Sequence, residues 1–227
     1  MGVRLAELRY GEGRSLEITV GRDEHFIKRL EAFSDVVIGF SLALLALSLI
    51  VPNHAATLAT HYLWLVAYVW TFAFVCSMWA SHTWTFRHVF VPTPGSVMLN
   101  YAKLGLIVLL IFSVQVLLRA FDQGDARDVI VANELYWGCL VAYWIVAGAI
   151  LAVGMRARGA ALPPEVARNC LRRIWRIAAA APLTVAGIVI AAHGAPSQTA
   201  TTIALYMIVG IAAGAFAGRL ATRRSAP

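Results

Sequence analysis

Asp35 stands at the head of a long apolar run, in the string Arg29-Leu30-Glu31-Ala32-Phe33-Ser34-Asp35. A carboxylate near hydrocarbon is costly, so a residue of this kind is a functional candidate; the simpler alternative is that Ser34 and Asp35 cap a helix end near the headgroups. Ser34, Ser41 and Ser48 recur every seven residues, which keeps them on one side of a helix. A row of hydroxyls has two uses. It replaces part of a cation's hydration shell, or it lets helices approach and bond; packing is the preferred reading. Gln115 lies deep in another apolar run and needs a protein partner, because lipid offers none. His54, His61 and His193 are scattered and form no cluster with metal-ligand spacing, so neither a metal nor a cofactor is expected. There is no nucleophile–base pair, phosphate loop, dinucleotide fingerprint or HExxH string, and the chain does not read as an enzyme.

The elements that must hold these residues follow from composition. Of 227 residues, 60% are hydrophobic and only 14% are charged, and mean hydropathy is +0.72. A soluble domain carries roughly 25% charged residues, so this chain is read as an all-α integral membrane protein. Helices need about 20 apolar residues to cross the hydrocarbon core. Six runs qualify: Phe33–Val51, Leu63–Trp84, Val97–Leu118, Leu135–Met155, Ile174–Ala192 and Thr199–Gly218. Pro92-Thr93-Pro94-Gly95, Asp122-Gln123-Gly124-Asp125 and Pro163-Pro164-Glu165 are among the strings that break them. The three cysteines, an odd number, give no disulfide framework.

Orientation follows from the basic residues. The N-terminal arm carries six: Arg4, Arg9, Arg14, Arg22, Lys28 and Arg29. Arg87 and Lys103 are assigned to the second connection, six arginines from Arg156 to Arg176 to the fourth, and Arg219, Arg223 and Arg224 to the tail. The opposite side receives only Arg119 and Arg127. The positive-inside rule then places both termini in the cytoplasm. The net charge of +7 is a topology signal, and no nucleic-acid partner is expected. The chain divides into an arm (1–28), a six-helix unit (29–219) and a tail (220–227). The arm is read as running helically into the first span.

Asp35 needs a partner. Arg29 is six residues away, about 600° around a helix, and points elsewhere. His82 is five residues from Arg87, about 7.5 Å of rise, and Asp35 is about 9 Å from Arg29. The two side chains are therefore expected at one depth, and an Asp35–His82 contact between the first two spans is expected. The simpler alternative is that His82 bonds a backbone carbonyl.

Arg29-x-x-x-Phe33-Ser34-Asp35 at the start of the first of six spans resembles the signature of the endosomal/lysosomal potassium channel family, prokaryotic branch. Trp79-x-x-His82 and Asn100, at the opening of span three, resemble the same family's second and third helices. The resemblance implies a passive potassium-permeable cation channel, with potassium as the permeant ion. It implies homotetramers in the bacterial cytoplasmic membrane, with membrane lipids as the other partners and the first helix of each subunit lining the path. By position, the rings fall on Phe40, Ala43 and Leu47, and Leu44 shares their face. Phe40 is bulkier than the family's usual first ring, and Ala43 lacks the hydroxyl often found there. Arg29, Phe33, Ser34, Asp35 and His82 would then clamp the cytoplasmic end. No Thr-Val-Gly-Tyr-Gly carbonyl filter is present.

Two other classes compete. A secondary transporter would bury polar groups at mid-membrane on broken helices, and the spans here are poor in charge. A non-conducting scaffold would need little beyond the small-residue face Gly210-x-x-x-Gly214-x-x-x-Gly218, which is read as helix packing.

Overall fold

The computed structural model describes residues 3–47 and 62–193. Gly210, Gly214 and Gly218, the sixth apolar run and the tail at 220–227 lie outside the described residues, as does Ser48. Within them the chain is all helical: α1 (Val3–Leu47), α2 (Tyr62–His88), α3 (Pro94–Gln123), α4 (Ala126–Arg158) and α5 (Pro164–His193). A single 3-10 turn, Gly159–Ala161, joins the last two.

The punctuation in the sequence falls at the turns. Thr93 caps α3, its hydroxyl accepting from Ser96 N at 3.2 Å, with Pro94 at the first helical position. There a missing N–H costs nothing and the fixed φ suits a helix start. Asp125 caps α4 in a capping box: its Oδ1 accepts from Arg127 N at 2.8 Å and Asp128 N at 2.9 Å, while Asp128 accepts from Asp125 N in return. Between them Gly124 brings α3 and α4 close. A Cβ there would lie 2.6 Å from the Ala120 carbonyl oxygen, so a side chain does not fit.

The arm does run into the first span: α1 is one unbroken helix of 45 residues. Among the described residues, three segments are long and apolar enough to cross a membrane, Glu24–Leu47, Pro94–Ala120 and Ala126–Ala161. The protein is therefore an integral membrane protein. α3 and α4 form the most closely packed pair; α5 lies along α4, and α1 lies against α2 and α3. The main core takes Ile38 and Leu45 from α1, Val75 and Met78 from α2, Leu104, Ile107, Leu110 and Ile111 from α3, and Trp137 and Leu140 from α4. Lipid tails are as apolar as these side chains, so close packing and interhelical hydrogen bonds hold such a bundle together.

At one end the turns interlock. Gly154 of α4 sits against the turn after α2, where a Cβ would lie 2.5 Å from both Val89 Cγ1 and the Val89 carbonyl oxygen. Arg158 Nη2 donates to the Phe90 carbonyl at 3.1 Å across the same junction. Cys76, Cys139 and Cys170 are free thiols.

Candidate functional site

The first helix has two unlike sides. Leu30, Ser34, Ile38, Ser41 and Leu45 are buried, at the spacing of one helical stripe. The two serines each satisfy their hydroxyl on their own helix: Ser34 Oγ donates to Leu30 O and Ser41 Oγ to Val37 O, both at 2.8 Å. They remain small and allow α1 to lie close to its neighbours. The opposite side carries Phe33, Val36, Phe40, Ala43, Leu44 and Leu47, all exposed. Exposure reaches 69% at Phe40 and 80% at Leu47. The packing reading of the serines thus accords with their burial, and the apolar stripe is the uncovered side.

Three consecutive residues fix α1 to two different helices. Phe33 meets Tyr101 of α3 edge to face, with ring centroids 6.2 Å apart. Ser34 Oγ accepts from Asn100 Nδ2 of α3 at 3.2 Å, inside the bundle. Asp35 Oδ1 accepts from Trp79 Nε1 of α2 at 2.7 Å. Helical geometry turns neighbouring side chains by about 100°, so a Phe-Ser-Asp string reaches three directions at one depth. Arg29 is exposed, while Glu31 lies 4.0 Å from Arg87 of α2. Higher up, Gln115 Nε2 donates to the Leu44 carbonyl at 3.4 Å, which supplies the partner its depth requires.

The expected Asp35–His82 contact is replaced by the Asp35–Trp79 hydrogen bond. Counting rise brought Asp35 to within one turn of its actual partner on α2 but said nothing about direction around the axis. His82 is three residues beyond Trp79, which rotates it by about 60° once the full turn is removed. It faces α3 instead, where its Nδ1 meets Lys103 Nζ at 2.7 Å. His82 is 1% exposed and Lys103 only 3%. Lys103, counted from sequence with the second connection, is thus a buried residue of α3. The signal for it was its place between Asn100 and Leu104, well past the Pro94 start and inside an apolar run.

Comparison with known proteins follows this geometry. Residues 29–110 match the family of the endosomal/lysosomal potassium channel TMEM175. That stretch holds the α1 clamp, α2 and the first half of α3, the three helices joined by Ser34, Asp35, Trp79 and Asn100. Two solved TMEM175 structures share the fold. One is a lysosomal potassium-selective channel TMEM175 homolog from Chamaesiphon Minutus, with TM-score 0.65 and 19% identity, covering 88% of this chain and 98% of that one. The other is a variant of the potassium channel MtTMEM175 bound to a nanobody–MBP fusion, with TM-score 0.66 and 15% identity, covering 86% and 93%. No curated protein matches the sequence. The TMEM175 match agrees with the family resemblance carried by the sequence.

Proposed function

We propose that the chain is a potassium-selective cation channel in which four identical subunits set α1 around a shared axis. In this reading each subunit has six spans with both termini in the cytoplasm of a bacterium. Phe40, Ala43, Leu44 and Leu47 line the path. Arg29, Phe33, Ser34, Asp35 and His82 hold its cytoplasmic end.

The observation that carries the reading is the division of α1. Its small polar residues are spent inside the subunit, and a continuous apolar stripe from Phe33 to Leu47 is left uncovered. Lipid alone would accept such a stripe, but α1 also carries the clamp to α2 and α3, and residues 29–110 match a potassium-channel family. Rings of apolar side chains gate by width, because a narrow hydrophobic constriction dewets. Passive conduction needs no bond chemistry and no cofactor, only a permeant ion.

Potassium flux into liposomes from the purified wild type, beside Phe40→Ala and Leu47→Ala, tests this. The expected result is flux in the wild type, with altered rate or potassium-over-sodium preference in the variants. Flux unchanged in both variants rejects the lining. Slow, saturable exchange points to a transporter, and absence of flux to a scaffold.

A further inference from the structure

A cavity of about 280 Å³ opens between α2, α3, α4 and α5, away from the exposed stripe of α1. Its lining includes Lys103, Arg173 and Arg176, and no carboxylate is among its lining residues. Lys103 is nearly fully buried. A buried cation is expensive unless something of opposite charge or strong accepting power stands beside it. Within the protein Lys103 meets His82 Nδ1 at 2.7 Å. With Lys103 charged, its ammonium offers three donors and no acceptor, so Nδ1 of His82 accepts.

Arg173 is held in place: Nη1 donates to Ser81 Oγ at 2.7 Å, and its guanidinium lies 4.2 Å over the Trp84 ring. The walls thus carry three basic side chains, which complement an anion rich in acceptor oxygens.

Its depth fits a membrane source. Ser81, Lys103 and Arg173 lie seven to nine residues from the helix ends at His88, Pro94 and Pro164, about 10–14 Å along the axes. Those ends lie on the side of the bundle that carries Arg156 and Arg158 at the end of α4 and Arg168 near the start of α5, the side expected to face the anionic cytoplasmic leaflet.

We propose that this cavity binds a phosphate-bearing anion, supplied by an anionic lipid headgroup or by free phosphate, with Lys103, Arg173 and Arg176 as its cationic contacts. Occupancy would brace α2 and α3 against α4 and α5 at the end where α1 is clamped. The site is independent of the channel reading, because its test reads binding and not flux.

The full-length protein in detergent is titrated with dihexanoyl phosphatidylglycerol, dihexanoyl phosphatidylcholine and inorganic phosphate, following thermal unfolding and native mass spectrometry. The expected result is saturable binding of the anionic lipid, weakened about tenfold or more in Lys103→Met and Arg173→Gln. Arg176→Gln, at an exposed residue, keeps the test valid if the variant at buried Lys103 or half-buried Arg173 fails to fold. Arg168→Gln, outside the cavity lining, should bind as the wild type does. Competition by inorganic phosphate identifies free phosphate as sufficient; binding of the lipid alone identifies the headgroup in its membrane setting. Equal binding of phosphatidylcholine, whose phosphate is offset by choline, overturns the proposal. So does wild-type affinity in Arg176→Gln together with whichever of the other two variants folds.

Discussion

Trp79 Nε1 donates to Asp35 Oδ1 across 2.7 Å, joining the second helix to the first at the motif's acid. An indole N–H is a donor only and a carboxylate an acceptor, so neither residue can be exchanged for its apolar isostere without loss. Trp79→Phe and Asp35→Leu should each lower the stability of the assembled protein by about 1 kcal/mol. The double variant should cost less than the sum, as read by thermal unfolding in detergent. Strict additivity would show that the two residues do not act on one another.

Ser41 and Leu47 occupy opposite sides of α1. Introduced singly as Ser41→Cys and Leu47→Cys, in a background with Cys76 replaced by Ser, they should react differently with a charged methanethiosulfonate reagent added to channels in liposomes. Leu47→Cys should be modified and its flux reduced, and Ser41→Cys should be protected. The reverse pattern would place the serine side along the ion path.

Gly154 and Gly148 offer a matched pair on α4. A methyl at Gly154 meets Val89 Cγ1 and the Val89 carbonyl oxygen at 2.5 Å, one of them backbone; at Gly148 the nearest atoms belong to the Ile177 side chain at 3.8 Å. Gly154→Ala should therefore destabilise by about 1–3 kcal/mol, and Gly148→Ala should be neutral within about 0.5 kcal/mol. Melting temperatures of the two variants, measured side by side, check this.

The cap of α4 is a third kind of contact. Asp125→Ala removes an oxygen that accepts from two backbone N–H groups. The expected cost is about 1 kcal/mol, with Asp125→Asn or Asp125→Ser restoring most of it. Failure of Asn to rescue would show that the carboxylate charge, rather than its accepting oxygen, carries the effect.

Much of this arrangement was legible in the letters. Pro94, Gly124 with Asp125, and Pro164 mark turns because each has a backbone consequence that does not depend on distant packing. The seven-residue recurrence of serine announced a packed side of α1 for the same reason: periodicity is local. What the letters did not yield was azimuth. The axial count pairs Asp35 with His82, yet the acid bonds Trp79, since such a count cannot tell which way a neighbouring helix is rotated. Lys103 was misplaced on different grounds. Counting basic residues by connection assumes that each lies in water, and a lysine satisfied by a histidine inside the bundle violates that assumption. The donor-lined cavity stayed invisible for the same reason, because its walls come from four helices distant in sequence.

The unbroken course of α1 has a mechanical meaning. Forty-five helical residues extend about 67 Å, roughly twice the hydrocarbon thickness, so a good part of the rod stands clear of the bilayer. Whatever grips that protruding shaft, be it a ligand or another protein, holds a crank whose far end carries Phe40 and Leu47.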